Sequence, residues 1–184
     1  MSIRSALMSA VLRRTIKKQL DSLEDVVEFR ENMAKAEGLS AKTPDNVIVT
    51  PLNIPRTSGA SIPCEWIQME EASTKPVLLY FHGGCYVFGG LNGHRDVAWR
   101  LAEAGDVRVL LVDYRLAPEH PFPAALEDAI ECYRWLLAQG TTPDKIAIGG
   151  DSAGGGLSVA TLVNIKNLGR PMPNCSILFS PWTD

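Results

Sequence analysis

The sequence predicts an α/β fold in which a mostly parallel sheet is flanked by helices. Continuous apolar runs are typical of strands covered on both faces, as in parallel sheets, and four occur: residues 77–81, 107–112, 145–148 and 176–179. Helical patterns are predicted between these runs, at roughly 94–104, 123–139 and 153–168. This alternation of strand and helix indicates one α/β domain.

The first twenty residues predict an amphipathic helix that carries basic side chains and no acidic ones. Its apolar residues recur at helical spacing: Ile3, Leu7, Val11, Leu12, Ile16 and Leu20. Three interpretations fit this pattern: a mitochondrial transit peptide, a helix on a membrane surface, and a helix that docks its apolar side on the rest of the domain. A second helical stretch is predicted near 23–37 and ends at Gly38.

Two further strands are predicted ahead of the first apolar run, at 47–50 and 61–68, with turn residues between them. The helix over 123–139 carries an apolar stripe and ends at Gly140, because glycine commonly terminates helices. The predicted organisation is therefore an N-terminal helical segment, residues 1–40, followed by one α/β domain, residues 41–184.

The composition excludes several classes of protein. The 184 residues are 46% hydrophobic and 21% charged, with a net charge of −3, which is typical of a globular chain and not of a disordered one. No overall basic charge is available to attract nucleic acid, so no nucleic-acid partner is expected. No apolar run approaches the ~18 residues of a transmembrane helix, so stable membrane insertion is not expected either.

The cysteines point to a reducing compartment. Cys64, Cys85, Cys132 and Cys175 form no C-x-x-C pair and match no zinc spacing. A chain of this size can build a core without disulfides, so reduced thiols in the cytosol are expected. The sequence therefore predicts a cytoplasmic protein without a metal site.

The strongest chemical signal is Gly150-Asp151-Ser152-Ala153-Gly154, a G-x-S-x-G motif between a predicted strand and a predicted helix. In this context the motif is typical of a nucleophile elbow, a sharp turn that exposes a serine hydroxyl above the sheet, at the positive end of the next helix. Small residues two before and two after the serine prevent collisions in such a turn. A plain glycine-rich turn or a phosphate-binding loop is the alternative, but the nucleotide-binding patterns do not fit these residues.

A second signal, His82-Gly83-Gly84, follows the strand predicted at 77–81. Consecutive glycines let backbone N–H groups point into a cleft without obstruction by Cβ atoms. Together with the N–H of Ala153, those of Gly83 and Gly84 could form an oxyanion hole, a set of donors that stabilises a developing negative charge. Alone, His-Gly-Gly indicates only a loop, but its pairing with the elbow favours a site.

Several motifs in a fixed order give the chain a specific resemblance to a known family. They are HGG at 82–84, DYRLAPEHPFPAALED at 113–128, GDSAGG at 150–155 and SPWTD at 180–184. Through them, over most of residues 45–184, the chain resembles the hormone-sensitive-lipase-like branch of the α/β-hydrolases, which includes many bacterial carboxylesterases. The resemblance implies the α/β-hydrolase fold and a small-molecule ester substrate, with no metal or organic cofactor.

The resemblance also implies roles for individual residues. Ser152 is the expected nucleophile, and Asp151 is expected to support the elbow and not to be the triad acid. The oxyanion hole is expected from four residues: His82, Gly83, Gly84 and Ala153. Structural support around the floor of the site is expected from Tyr114, Arg115, Glu119 and Asp128.

Two other features of the sequence are interpreted through the same resemblance. Residues 1–40 look like the helical cap that covers the acyl pocket in this family, which favours the docked helix over the transit peptide. Cys85 stands where the family usually has a third glycine after the histidine, but its own backbone N–H remains available.

No histidine follows Ser152, although the histidine of this fold's triad comes after the serine in chain order. His82 belongs to the oxyanion motif, His120 to the loop of expected supports, and His94 is expected on the solvated surface. In the resembled family the triad acid and histidine lie beyond the point where this sequence ends. The expectation is a C-terminally truncated chain: a piece made for expression, an incomplete reading frame or a natural short form.

Two functions are compatible with this sequence. The first is hydrolysis of carboxylic esters through an acyl-Ser152 intermediate. The second is a non-catalytic, hydrolase-like module that binds a small apolar ligand, as does the plant gibberellin receptor, which resembles the same family. The run 176–179 is an inner strand in that family, so here it is expected to be an exposed apolar edge through which homo-oligomers could form.

Overall fold

The computed structural model describes residue 30 and residues 42–57, 59–69 and 74–183. Apart from Arg30, the predicted N-terminal helices and the boundary at residue 40 lie outside these residues. Within the described part of the chain, six strands form one sheet: β1 (Ile48–Ile54), β2 (Ile62–Gln68), β3 (Val77–Phe81), β4 (Arg108–Val112), β5 (Ile146–Asp151) and β6 (Cys175–Phe179). The same part contains three α-helices and a short 3₁₀ helix: α1 (Leu91–Gly105), α2 (Ala124–Ala138), α3 (Ala153–Asn167) and Pro143–Lys145.

The sheet is mixed and mostly parallel, with the strand order β1-β2-β4-β3-β5-β6. β3 pairs in parallel with β4 and with β5, and β5 pairs in parallel with β6. β1 pairs with β2, and β2 with β4, in the antiparallel sense. The four apolar runs are β3 to β6, which confirms the prediction of an α/β domain with a mostly parallel sheet.

β3 lies at the centre of the hydrophobic core, and all five of its residues are buried. Val77, Leu79 and Phe81 pack on the side of the sheet that α2 and α3 cover. Leu78 and Tyr80 pack on the opposite side, with residues of α1. Burial of a large apolar side chain stabilises the fold by about 1.5–3 kcal/mol. A strand covered on both faces is therefore stabilised by an apolar residue at every position, and apolar and polar residues do not alternate along it.

The pairing of β3 with β5 brings the two predicted motifs together. Phe81, the last residue of β3, pairs with Gly150 near the end of β5. Because the strands are parallel, the residues that follow both of them emerge at the same edge of the sheet. This edge, outside the carboxyl ends of the strands, is where open α/β sheets bind ligands.

β6 lies at one edge of the described sheet and exposes apolar side chains. Ile177 is 39% exposed and Phe179 is 43% exposed. The sequence predicted an exposed apolar edge at this run, and the strand order and exposures agree. An edge of this kind is a site at which another chain can pair.

Membrane-spanning helices and metal clusters are both absent from the residues that the structure describes. No helix there combines the length and the apolar character needed to cross a bilayer. No group of three or more His, Cys, Asp or Glu side chains in that part of the chain is arranged to hold a metal ion.

Candidate active site

Ser152 occupies a strained turn between β5 and α3. Its backbone has φ 51° and ψ −118°, and a positive φ is uncommon for a residue other than glycine. Such strain persists only where the surrounding structure enforces it, and it is concentrated at functional sites. The strand, turn and helix expected for a nucleophile elbow are thus present at the predicted serine.

Gly150 and Gly154 allow this turn to lie directly against the end of β3. A Cβ atom on Gly154 would lie 2.5 Å from the carbonyl oxygen of His82 and closer still to that of Phe81. A Cβ atom on Gly150 would lie 2.5 Å from the carbonyl oxygen of Gly154. Because these neighbours are backbone atoms, no side-chain movement would relieve the overlap, and only glycine fits at both positions.

The loop after β3 is also tightly wound. Gly84, Cys85 and Tyr86 have positive φ angles of 127°, 54° and 61°. The carbonyl oxygen of Gly84 accepts hydrogen bonds from the N–H groups of Val87 and Phe88, each at 2.9 Å. A Cβ atom on Gly84 would lie 2.7 Å from the carbonyl carbon of Phe88 and closer still to its oxygen, so this turn also requires glycine.

Asp151 ties the elbow to that loop. Its Oδ1 accepts hydrogen bonds from the Gly83 N–H at 3.1 Å and from the Tyr80 hydroxyl at 2.9 Å. Burial alone would raise the pKa of Asp151, but His94, Tyr80 and the Gly83 N–H together hold the pKa below its ordinary value. The carboxylate is therefore a charged acceptor that connects the ends of β3 and β5.

The position of Asp151 corrects one expectation about the oxyanion hole. The sequence predicted that the Gly83 N–H points into the cleft, but this N–H donates to the Asp151 carboxylate. A carboxylate is the stronger acceptor, and the register of β3 with β5 brings it beside Gly83. Gly84 lies on the tight loop, and Ala153 is the first residue of α3.

His82 supports the loop from inside the core. Its ring is fully buried and stacks on the Tyr114 ring with centroids 4.2 Å apart. Its Nδ1 lies 2.7 Å from the carbonyl oxygen of Gly83, so Nδ1 carries the proton that is donated there. Burial lowers the pKa of His82 to about 4, so the ring is neutral near neutral pH.

His94 is not on the solvated surface, which corrects the sequence-based expectation. Its side chain is only 18% exposed, and its Nε2 lies 3.8 Å from Asp151 Oδ1. Its ring centroid lies 5.2 Å from that of His82. The reason is that α1 begins at Leu91, so His94 lies in its first turn, and the His94 ring is close to that of His82. His120 lies elsewhere, at the margin of a cavity beside α2.

Three of the residues predicted as structural supports, Tyr114, Arg115 and Asp128, form hydrogen bonds that involve buried groups. The Tyr114 hydroxyl donates to the carbonyl oxygen of His82 at 2.7 Å. The fully buried Asp128 carboxylate accepts from Arg56 Nε at 2.7 Å, and from the backbone N–H and the Nε of Arg115 at 2.9 and 3.0 Å. Burial alone would raise the pKa of Asp128, but hydrogen bonds from the two arginines hold it below its ordinary value. The fourth predicted support, Glu119, pairs with Arg30 at 2.6 Å.

Replacing Asp128 by asparagine is expected to lower the free energy of unfolding by about 3 kcal/mol near neutral pH, because two arginines would lose the buried charge between them. The native pKa of Asp128 lies below its ordinary value of 3.8. The stabilisation is therefore complete above that value and is lost as pH falls through the native pKa. Urea unfolding of both proteins across a pH series measures this.

The exposed Asp144 provides a matched control for that measurement. Asp144→Asn is expected to change the free energy of unfolding by less than about 0.5 kcal/mol. A difference between wild type and Asp128→Asn that stays constant below pH 3.8 would contradict the assignment of the carboxylate as the source of the stabilisation.

An aromatic wall borders the elbow. The carbonyl oxygen of Ser152 accepts hydrogen bonds from the N–H groups of Gly156 and Trp182, at 3.1 and 2.9 Å. The Trp182 ring is centred 6.0 Å from that of Tyr86. A Cβ atom on Gly156 would lie 3.3 Å from the Tyr86 hydroxyl and would overlap the Trp182 backbone. Gly156 thus lets both aromatic residues approach the start of α3.

Tyr86 also borders a mostly apolar cavity of about 270 Å³ that runs beside α3. Leu157 and Ala160 of α3 line it, together with residues from the loop before α2 and from α2 itself. An apolar protein cavity of about 150 Å³ is large enough for benzene. This cavity therefore has room for a ring or a short alkyl group beside α3.

The sequence did not indicate several residues that shape this site. Hydrogen bonds to partners 71, 72 and 89 positions away in the chain are formed by Tyr80, Arg56 and Arg30, respectively. No local pattern marks such contacts, because they depend on the order of the strands. The aromatic pair of Tyr86 and Trp182 was missed for the same reason.

Comparison with known proteins agrees with this geometry. Residues 78–184 match the family model described as alpha/beta hydrolase fold. An acetyl-hydrolase of Streptomyces hygroscopicus is 43% identical over 120 residues, which are 65% of this chain and 40% of that protein. The carboxylic ester hydrolase LipN of Mycobacterium tuberculosis is 35% identical over 170 residues, which are 88% of this chain and 45% of that protein.

The solved structures give the same result. An esterase from the bacterial hormone-sensitive lipase family superimposes with a TM-score of 0.80 and 43% identity, over 88% of this chain and 52% of that one. The chain spans about half or less of the length of these relatives. From the matched family model and these similarities, the chain belongs to the hormone-sensitive-lipase family of esterases within the α/β-hydrolases.

Proposed function

We propose that the protein is a carboxylic ester hydrolase in which Ser152 is the nucleophile. The observation that carries this proposal is the strained elbow, which holds Ser152 at the carboxyl edge of the sheet, at the start of α3. The Ser152 oxygen attacks the ester carbonyl carbon while its proton passes to a base. The alcohol leaves with that proton, and water then hydrolyses the acyl-serine to release the acid.

The backbone N–H groups of Gly84 and Ala153 are the proposed oxyanion donors. Ala153 is the first residue of α3, so its N–H has no acceptor within the helix and lies at the positive end of the helix dipole. The tight turn at Gly84 supports the second donor, because it fixes the direction of the peptide groups beside the elbow. Donors fixed in this way stabilise the negative charge that develops on the carbonyl oxygen.

The triad acid and histidine are proposed to come from outside these 184 residues. Among the described residues, none of His82, His94 and His120 forms a hydrogen bond with Ser152. His82 is committed to Gly83, and His94 faces Gly90 and Asp151. No histidine follows Ser152 in the sequence. Asp151 keeps a supporting role, because its Oδ1 already accepts from Gly83 and Tyr80.

The proposed substrates are esters with a small apolar acyl or aryl group. The aromatic rings of Tyr86 and Trp182 stand beside the start of α3, and the cavity of about 270 Å³ continues from Tyr86. Its size suits a ring or a short chain better than a long lipid. A kinetic series of p-nitrophenyl esters of increasing acyl length tests this, and a preference for long chains would contradict it.

We also propose that residues 1–40 form a cap segment on a hydrolase domain of residues 41–184. The support is Arg30, which pairs with Glu119 of the domain. Limited proteolysis tests this division. Cleavage confined to sites near residue 40 would agree with it, and early cleavage within residues 74–183 would contradict it.

A non-catalytic module that binds a small apolar ligand is the alternative function. The observation that favours it is the lack of a histidine at Ser152 among the described residues. A fluorophosphonate discriminates between the two, because it labels only an activated serine. If the protein isolated from its own cells carries the label on the peptide containing Ser152, ester hydrolysis is supported. Absence of the label, with a heat-denatured sample as the background, supports the binding module.

We further propose that the chain associates with itself through the exposed edge at β6. Ile177 and Phe179 on that strand, and Trp182 beyond it, are 39%, 43% and 49% exposed. Light scattering of the 184-residue chain is expected to give a mass above that of the monomer. The double substitution Ile177→Lys with Phe179→Lys is expected to give a monomeric mass, because charged side chains on an edge strand oppose pairing with another chain. A monomeric parent chain would contradict this proposal.

The cytoplasm is the proposed location. All four cysteines are free thiols, and the exposed Cys175 would be open to oxidation outside a reducing compartment. Fractionation of the source cells tests this, and recovery in the extracellular fraction would contradict it.

A further inference from the structure

Arg30 binds acceptors on two separate loops. Its guanidinium donates to both carboxylate oxygens of Glu119, at 2.6 and 2.7 Å. It also donates to the backbone carbonyl oxygens of Val87 and Ala117. Its side chain is 25% exposed, so these contacts are partly shielded from water. A guanidinium is suited to this arrangement, because its donors are fixed in one plane and remain charged at any ordinary pH.

One of these loops carries a proposed oxyanion donor. Val87 is three residues after Gly84, and the N–H of Val87 donates to the carbonyl oxygen of Gly84. The other loop is joined to the same segment, because the N–H of Ala117 donates to the carbonyl oxygen of Tyr86 at 2.8 Å. The contacts among Arg30, Val87 and Ala117 therefore hold the segment that follows Gly84, which we call the far side of the turn.

The segment that precedes Gly84, the near side of the turn, is anchored by other contacts. The Gly83 N–H donates to Asp151, and the carbonyl oxygen of His82 accepts from Tyr114. Between the two anchors, Cys85 and Tyr86 are held at positive φ angles. Residues other than glycine keep such angles only where surrounding contacts enforce them. If the far anchor is lost, this part of the loop is free to relax.

We propose that Arg30 is a positioning residue for the backbone N–H of Gly84. It fixes the far side of the turn through the Val87 and Ala117 carbonyl groups, while Asp151 and Tyr114 fix the near side. The ion pair with Glu119 orients the guanidinium, but the two carbonyl contacts transmit its position to the loop. The consequence for catalysis rests on the proposed function, whereas the effect on the loop does not.

The experiment separates the ion pair from the carbonyl contacts. Amide hydrogen exchange at Val87 and Phe88, both of which donate to Gly84, is followed in Arg30→Met and in the double variant Arg30→Glu with Glu119→Arg. The double variant can re-form an ion pair, but a glutamate has no N–H to donate to the two carbonyls. Arg134→Met, which removes a surface arginine paired with Glu131, is the matched control.

Exchange at Val87 and Phe88 is expected to rise by about tenfold or more in both Arg30 variants. Exchange in β1 and β2 is expected to stay unchanged, as is exchange throughout the Arg134→Met protein. Unchanged protection in Arg30→Met, or full recovery in the double variant, would overturn the proposal. Where ester turnover is measurable, kcat is expected to fall with little change in KM. Loosening of the loop together with a lack of turnover, in the protein as its own cells make it, would support the role of Arg30 and contradict the proposed function.

Discussion

Replacing Ser152 by alanine is expected to lower ester turnover by about 10⁴-fold or more in the protein as its own cells make it. Removing one member of a catalytic triad has effects of this size, because covalent chemistry is lost while binding remains. Initial rates on a short-chain p-nitrophenyl ester measure the change. Ser158→Ala is the control, since Ser158 lies on the helix that follows Ser152 and its hydroxyl donates to the carbonyl oxygen of Gly154.

The 184-residue chain by itself is expected to respond differently. Because none of the described histidines forms a hydrogen bond with Ser152, we expect its hydroxyl to lack a base. The wild-type chain and Ser152→Ala should then hydrolyse the ester at equal background rates. Turnover by the 184-residue chain that depends on Ser152 would mean that His82, His94 or His120 acts as the base. Equal turnover of Ser152→Ala and wild type in the protein as its own cells make it would remove Ser152 from the mechanism.

Replacing Gly154 by alanine is expected to lower the free energy of unfolding by about 3 kcal/mol or more. Alanine is the better helix former by up to about 1 kcal/mol, so propensity alone predicts a gain. The added Cβ atom, however, would lie 2.5 Å from the carbonyl oxygen of His82 and closer to that of Phe81. Relief would require β3 and α3 to separate, which would also displace the elbow.

Gly105→Ala is the matched control for this prediction. Gly105 is the last residue of α1, and a Cβ atom there would make ordinary contact with Val107 at 3.4 Å. Its unfolding free energy is expected to stay constant or to rise slightly. Urea unfolding of the two variants beside wild type gives both values. Similar stability of all three proteins would show that the elbow does not lie against the end of β3.

The sequence was sufficient for features that local pattern determines. β3 and β4 are continuous apolar runs because both faces of each are covered, so their existence could be predicted without a partner. β5 was predicted over 145–148 but extends to Asp151. Its last residues include glycines, which carry no apolar signal. Glycine is required there, since a Cβ atom on Gly149 would lie 2.6 Å from the carbonyl oxygen of Ile177.

Features that depend on contacts between distant residues could not be predicted. The Gly83 N–H points toward its acceptor, the Asp151 carboxylate. No local pattern in the sequence indicates that these two residues are partners. His94 is largely buried because α1 begins three residues earlier than a sequence-based helix at 94–104 suggests. The role of Arg30 depends on two loops that the fold alone brings together.

The adjacency of β3 and β5 also has a consequence for the order of events during folding. Gly83 and Asp151 are 68 positions apart, and β4 and α2 lie between them in the chain. Closing so long a loop before its contacts form is entropically unfavourable, and non-local pairings of this kind slow folding. In a chain that is still emerging from the ribosome, we therefore expect neither the loop after β3 nor the elbow to have its final geometry before β5 has paired with β3. The loop after β3 and the elbow acquire their geometry together, in the step that pairs these two strands.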